Sequence, residues 1–298
     1  MGGGGWTKAS YDCFVGSKGF AKAEDISKYS VQDFYESRTM DPALNPCNVI
    51  RECCDSEEHP ETFPIILALD VTGSMGQAAK DCAAKLDDII TELYGKVKDV
   101  EFMMMGIGDL AYDQAPIQAS QFESDIRILD QTSKIWFESG GGPNEWESYT
   151  AAWYFGLYRT KLDCWKRGKK GIIITMGDEM LNPYLPGNKL ISVSLGNLGQ
   201  NSVTSDVDTK ELYAKALEKF DIFHIGVTNG IGFSSWLRHN SSYVNRIRQS
   251  WKDVIGQNYI EGSSDDLPRL IGDIVDRHLA NAVTNKSGIQ YTPEGIRW

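Results

Sequence analysis

The chain has 298 residues, 41% of them hydrophobic, which is enough to bury one large core. Its formal net charge of -11 opposes binding to the phosphate backbone of nucleic acids, and no dense lysine or arginine stripe offsets that repulsion. No apolar run reaches the ~18 residues of a membrane-spanning helix, and the N-terminus lacks the pattern of a secretory signal. We therefore expect a cytoplasmic protein that binds neither nucleic acid nor membrane.

Residues 1–62 are polar, weakly periodic and rich in turn signals, which predicts an irregular N-terminal extension. The many aromatic side chains in this segment are unusual for a free tail, so we expect it to wrap the domain or a neighbouring subunit. The six cysteines of the chain show no zinc-ligand spacing, and we expect free thiols.

A folded domain is predicted over residues 63–283, followed by a tail over residues 284–298. Apolar runs typical of buried strands alternate with stretches of helical periodicity. The predicted strands cover residues 65–69, 100–107, 117–122, 171–175, 221–227 and 258–262, and the predicted helices cover residues 75–94, 124–136, 147–165, 208–220, 243–255 and 265–283. This alternation favours a Rossmann-like α/β fold with a doubly wound, mainly parallel sheet flanked by helices.

Three polar loops follow predicted strands or precede a helix, at residues 70–74, 140–147 and 177–179. In a doubly wound sheet, such loops meet at the carboxyl ends of the strands, where ligands bind. The first loop places oxygen-bearing side chains at Asp70, Thr72 and Ser74, and Gly73 permits a tight turn between them. Oxygen donors of this kind suit a hard cation, Mg²⁺ or Mn²⁺.

The apolar strand followed by Asp70-Val71-Thr72-Gly73-Ser74 resembles the metal-ion-dependent adhesion site of the von Willebrand factor A family, whose pattern is Asp-x-Ser/Thr-x-Ser. The resemblance implies that Thr72 and Ser74 coordinate the metal directly. It also implies that Asp70 and an acid after the central strand act directly or through water. These acids would neutralise the charge of the metal only in part. An open coordination position would then favour a carboxylate from a protein partner.

Two loops depart from the family pattern. The second loop offers no threonine, and Asn144 aligns best with the missing ligand. The third loop places its acid two residues later than the family does, so Asp178 is the candidate and Glu179 the reserve.

Other interpretations of these residues stay open. Thr72 or Ser74 could cap the following helix, and residues 140–142 could form a flexible link or a phosphate cradle. Asp109 and Asp113 could support the metal loops or be solvated loop acids. The four histidines are expected to be structural or on the surface: His59, His224, His239 and His278.

The leading functional hypothesis is a non-enzymatic, metal-dependent protein interaction module. Intracellular relatives in bacteria and their viruses resemble adaptors for MoxR-type AAA+ ATPases, which suggests such a partner. One rival is a structural subunit of a viral or other large assembly that docks through its terminal arms. A second rival is a phosphohydrolase with Asp70 as nucleophile, which is disfavoured because Thr72 stands where the haloacid dehalogenase arrangement needs a second aspartate.

Overall fold

The computed structural model describes residues 6–193, 195–196, 203–230 and 241–287. The strands are β1 (Arg51–Cys53), β2 (Phe63–Asp70), β3 (Val100–Ile107), β4 (Ile117–Ala119), β5 (Trp146–Glu147), β6 (Thr160–Leu162), β7 (Gly171–Gly177), β8 (Met180–Leu181), β9 (Tyr184–Leu185), β10 (Val207–Asp208), β11 (Phe220–Val227) and β12 (Tyr259–Gly262). The α-helices are α1 (Lys8–Ser17), α2 (Val31–Phe34), α3 (Gly76–Ala84), α4 (Leu86–Lys96), α5 (Arg127–Ser133), α6 (Thr150–Tyr158), α7 (Gly187–Ser192), α8 (Thr209–Ala216), α9 (Ser241–Ile255) and α10 (Leu267–Ser287).

Six strands form the central sheet in the order β12-β11-β7-β2-β3-β4. Neighbouring strands run parallel except β3 and β4, which pair antiparallel. The chain builds one side of the sheet with β3 and β4 and then returns past β2 to build the other side with β7, β11 and β12. This mostly parallel sheet, flanked by helices, confirms the predicted Rossmann-like α/β class.

The apolar run of β2 is buried on both faces of the sheet, as its composition predicts. Ile65, Leu67 and Leu69 join a core with α3, α4 and α10, whereas Ile66 and Ala68 join a second core with α6, α8 and α9. Burying one large aliphatic side chain contributes about 1.5–3 kcal/mol, so the two cores together hold the sheet between its helix layers.

The N-terminal segment belongs to the first of these cores. Tyr11 and Tyr35 are buried, and their hydroxyls donate to the backbone oxygens of Ala83 and Ala79 at 3.1 Å. The segment therefore wraps its own domain, and it contains α1, α2 and β1 instead of being irregular throughout. Its weak periodicity hides these short elements because they are stabilised by contacts with distant parts of the chain: α2 contacts α3, and β1 pairs with β6. The division after residue 62 stays a prediction.

The predicted helix over residues 75–94 is interrupted at Lys85, where α3 ends and α4 begins. The hydroxyl of Tyr11 donates to the carbonyl oxygens of Ala83 and Ala84, both at 3.1 Å. A side chain that takes these carbonyl oxygens competes with the helical hydrogen bonds there, which is a known cause of helix kinks.

The predicted helix over residues 147–165 is wrong at both ends. α6 covers only Thr150–Tyr158, because the chain before it forms β5 and the chain after it forms β6. β6 pairs in parallel with β1, and its three residues alternate buried, exposed and buried. This partner strand comes from the N-terminal segment, so the local sequence gives no sign of it.

The closing helix α10 continues to Ser287, four residues beyond its predicted end at residue 283. The predicted tail over residues 284–298 otherwise lies outside the described residues. All six cysteines are free thiols, as expected. In the part of the chain that the structure describes, no helix is long and apolar enough to cross a membrane.

Candidate functional site

The candidate site lies where two neighbouring central strands end. Asp70 is the last residue of β2, and Asp178 directly follows the last residue of β7. Because β2 and β7 are parallel neighbours, both acids reach the same edge of the sheet. At this edge the chain switches from one side of the sheet to the other, which is where ligands bind in doubly wound folds.

Two hydroxyl groups extend from the first loop toward these acids. The Thr72 hydroxyl donates to Asp70 Oδ1 at 2.6 Å, and the Ser74 hydroxyl donates to Asp178 Oδ1 at 2.7 Å. The two hydroxyl oxygens lie 3.4 Å apart. The structure thus brings together four of the five residues predicted from the sequence, and their binding of a metal stays a prediction.

The chemistry of this donor set suits a hard divalent cation. Each hydroxyl hydrogen is used by a carboxylate, so lone pairs on the oxygens of Thr72 and Ser74 are left for another group. Among the described residues, no three His, Cys, Asp or Glu side chains are grouped so as to hold a metal by themselves. An ion at this edge would therefore depend on both hydroxyls, with Asp70 and Asp178 orienting them and supplying negative charge.

Asp70 is fully buried, and its described partners are three hydrogen-bond donors, none of them positively charged. Burial, and then the negative charge of Asp178, raise the pKa of Asp70 to about 7. The ionised form of Asp70 thus lacks a compensating charge among its described partners, and a bound cation would supply one.

Tyr149, at the start of α6, ties the ends of the two strands together. Its hydroxyl donates to Asp70 Oδ2 at 2.6 Å and accepts from the backbone N–H of Glu179 at 3.2 Å. Gly177 makes room for it, since a Cβ at that position would lie 2.2 Å from the tyrosine oxygen. The sequence reasoning missed this residue because a tyrosine in an apolar stretch gives no signal beyond core packing.

The second loop buries Glu147, whereas the predicted Asn144 is half-buried. Both side chains carry a buried oxygen that has no hydrogen-bond partner among the described residues, Asn144 Oδ1 and Glu147 Oε2. Burial, followed by the charges of Asp70 and Asp109, raises the pKa of Glu147 to about 11. No described contact joins Asn144 to Thr72 or Ser74. Glu147 is therefore a second acid of this loop that is buried near Asp70, and the role of Asn144 as a metal ligand stays a prediction.

A rim of exposed backbone lies above these buried acids. The N–H of Gly73 donates to the carbonyl oxygen of Gly140 at 3.2 Å, and the N–H of Ser139 donates to that of Val71 at 3.3 Å. Gly73, Ser139 and Gly140 are exposed, whereas Ser74 is half-buried beneath them. A ligand would reach the Ser74 hydroxyl through this rim.

Asp113 holds the rim to the loop after β3. Its carboxylate accepts from the backbone N–H of Asp109 at 2.7 Å and from that of Gly141 at 3.1 Å. A Cβ on Gly108 or Gly140 would lie only 2.3 or 2.2 Å from this carboxylate, so a larger residue at either position would displace Asp113 from its hydrogen bonds. Asp109 is buried, and Asp113 is half-buried. Both acids therefore support the loops, and the alternative of solvated loop acids is wrong.

Glu179, the reserve ligand, connects the third loop to α9. Its backbone oxygen accepts from the indole N–H of Trp251 at 3.0 Å, and the Tyr243 hydroxyl donates to its carboxylate. Burial raises the pKa of Glu179 to about 8. The side chain is thus committed to α9, which leaves Asp178 as the third-loop acid bonded to Ser74.

His224 is structural, as expected. Its ring is buried and stacks on that of Trp251 with a centroid distance of 3.5 Å, and its Nδ1 lies 2.8 Å from the Thr175 hydroxyl. Burial lowers its pKa well below the usual value, so the ring is neutral. His239 lies outside the described residues.

Comparison with protein-family models gives no match, and no curated protein matches the chain. Among solved structures, the chain is similar to the pilus adhesin SpaC from Lactobacillus rhamnosus GG, with a TM-score of 0.47 and 15% identity over 79% of this chain and 32% of the adhesin. It is also similar to an aerotolerance-related membrane protein from Bacteroides fragilis NCTC 9343, with a TM-score of 0.41 and 14% identity over 72% of this chain and 99% of that one. Proximal thread matrix protein 1 from the mussel byssus gives a TM-score of 0.43 and 14% identity over 75% of this chain and 48% of its own. The chain thus spans about a third of the adhesin's length, and all three similarities are distant.

Proposed function

We propose that this chain is a von Willebrand factor A-like module that binds Mg²⁺ or Mn²⁺ and uses the metal to recognise a protein partner. The observation that carries the proposal is the paired arrangement of Thr72 with Asp70 and of Ser74 with Asp178. Two hydroxyl oxygens with free lone pairs, each oriented by a buried carboxylate, form a preorganised set of hard donors.

The metal would supply an electrophilic centre for a carboxylate of the partner. This carboxylate would reach the metal through the exposed rim at Gly73 and Gly140. A MoxR-type AAA+ ATPase is the partner that the family resemblance suggests. The location of the site in loops on a rigid parallel sheet is typical of binding sites that are positioned by a scaffold.

Two observations disfavour the rival functions, one for each. Both carboxylate oxygens of Asp70 accept hydrogen bonds and the residue is fully buried, which is unfavourable for a nucleophile that must reach a phosphoryl group. The N-terminal segment, which would serve as a docking arm in a structural subunit, buries Tyr11 and Tyr35 in its own domain.

The proposal is tested by thermal unfolding after chelator treatment, with Mg²⁺ or Mn²⁺ then added in steps. A ligand that binds only the folded state raises stability by about 2.7 kcal/mol at a hundredfold excess over its Kd, so we expect a saturable rise in Tm for the wild type. Thr72→Val keeps the side-chain shape but removes the hydroxyl, and we expect it to abolish the rise.

Thr132→Val is the matched control, because Thr132 is also fully buried but its hydroxyl bonds only to its own helix, at Ile128 O. This variant is expected to respond to metal as the wild type does. A rise in Tm that survives in Thr72→Val, or a wild type that does not respond, would contradict a metal site at this loop.

Partner recognition is tested by affinity purification with Mg²⁺ or with EDTA, using the wild type and Thr72→Val. A MoxR-type ATPase that is recovered only with the wild type in Mg²⁺ would support the adaptor role. Recovery that is independent of metal and of Thr72 would contradict it.

A further inference from the structure

A separate cavity of about 240 Å³ lies near the amino end of β3, away from the strand ends that form the candidate metal site. Its lining combines two serines with four acidic side chains, a histidine, a phenylalanine and an arginine, the last seven being Glu57, Glu58, Glu101, Glu123, His59, Phe122 and Arg127. Every lining residue belongs to the described part of the chain.

Glu101 gives this cavity a carboxyl oxygen that lacks a hydrogen-bond partner among the described residues. Its side chain is 3% exposed, and its Oε2 has no hydrogen-bond partner among the described residues. The thiol of Cys53 hydrogen-bonds to the carboxylate, but a thiol is a weak donor. An ionised carboxylate is costly to bury without a positively charged partner.

Arg127, which also lines the cavity, is paired with two other acids. Arg127 Nη2 lies 2.7 Å from Glu123 Oε2, and its Nε lies 2.8 Å from Asp125 Oδ1. The guanidinium of Arg127 therefore neutralises two other acids. Glu101 and the rim acids Glu57 and Glu58 are left as the negative side of the cavity.

We propose that this cavity binds an alkylguanidinium or alkylammonium cation, with the Glu101 carboxylate accepting from its N–H groups and Phe122 contacting its alkyl part. A charge-assisted hydrogen bond to a carboxylate is about twice as strong as a neutral one. The volume lies below the ~300 Å³ at which pockets for drug-sized ligands begin, so it suits a group the size of one side chain. The acidic rim attracts a cation toward the opening.

The first test uses the intact protein and a matched pair of small probes, butylguanidinium and butylurea. The two probes share size and planar shape, but butylurea is neutral and carries a carbonyl oxygen, an acceptor, where butylguanidinium carries a third N–H-bearing nitrogen. We expect butylguanidinium to bind at least tenfold more tightly than butylurea in isothermal titration calorimetry. Equal affinity, or no binding of butylguanidinium, would overturn the proposal.

The second test replaces the carboxylate with its amide in Glu101→Gln. We expect at least a tenfold loss in butylguanidinium affinity, with no loss in Glu218→Gln, which makes the same change of net charge at an exposed position outside the cavity. Unchanged binding in Glu101→Gln would overturn the proposal. If that variant unfolds, the comparison of butylguanidinium with butylurea on the wild type still tests the proposal.

A third measurement identifies the source of the cation. N-acetylarginine methylamide carries the same group on a peptide backbone. If it binds at least as tightly as butylguanidinium, the cavity accepts an arginine side chain of a protein. If it is excluded while butylguanidinium binds, the cavity takes a free small cation.

Discussion

Tyr149 contacts both strand ends of the candidate site, so its hydroxyl is the first atom to remove. We expect Tyr149→Phe to lower the free energy of unfolding by about 2 kcal/mol, because it deprives a buried carboxylate and a backbone N–H of a partner. Chemical unfolding in urea measures the change. Tyr154→Phe is the control, since that buried tyrosine makes one longer bond, to Leu195 O at 3.3 Å, and we expect it to cost about 1 kcal/mol or less. Equal costs would contradict the role given to Tyr149.

Asp70 also predicts how stability depends on pH in the absence of metal. The pKa of Asp70 in the folded protein is about 7, raised above its usual value by burial and by Asp178. The folded state therefore holds the proton more tightly than the unfolded state does. The stability that Asp70 contributes is present below pH ~4 and is lost as the pH rises through about 7.

We therefore expect urea unfolding in chelator to show the wild type losing stability between pH 5 and pH 8 relative to Asp70→Asn. The comparison between the two proteins is needed because His224, whose pKa is lowered by burial, adds a slope of the opposite sign to both. Parallel pH profiles for the two proteins would contradict the shifted pKa of Asp70.

The sequence could predict the loop from Asp70 to Ser74 because oxygen-bearing residues alternate there after an apolar strand. It could not single out Glu147, because an acid at the edge of a loop is normally solvated. Only the fold brings Glu147 into a buried position near the charges of Asp70 and Asp109.

Among the elements, those with strong apolar runs or helical periodicity were predictable, and those stabilised by distant partners were not. β2, β3, β7 and β11 follow from their composition, and each lies in the central sheet. β1 and β6 are three-residue strands that depend on each other across the chain, and the short α2 depends on its contacts with α3. Hydrophobic periodicity is detected when apolar residues recur on one face over several repeats of a helix or strand. Elements this short do not contain enough repeats.

The packing of the N-terminal elements against α3 gives a prediction at this scale. Tyr35 is 1% exposed, and we expect Tyr35→Ala to cost about 3–5 kcal/mol, as for other large aromatic truncations in cores. Tyr29→Ala, in the same segment but 55% exposed, is expected to change stability by less than about 1 kcal/mol. Differential scanning calorimetry compares the two, and a loss for Tyr35→Ala as small as that expected for Tyr29→Ala would contradict the place of the segment in the core.

In the whole molecule, the two proposed cation sites lie at opposite ends of the sheet. The metal site depends on the carboxyl ends of β2 and β7, whereas the Glu101 cavity lies near the amino end of β3. A net charge of -11 favours cations at both ends, but only the first site follows from a sequence motif. The second depends on one buried carboxylate whose partners are set by the fold.

The position of β2 between β3 and β7 has a consequence for how the protein is made. β7 begins about a hundred residues after β2 ends, so at translation rates of ~5–20 residues per second β2 leaves the ribosome on the order of 5–20 s before β7. During that interval β3 can pair with one edge of β2, and the N-terminal segment, already synthesised, is available to cover α3 on one face. The other edge and the other face of β2 stay open until β7 and α6 emerge. The nascent chain therefore passes through a half-built sheet whose apolar strand edge is a substrate for chaperones.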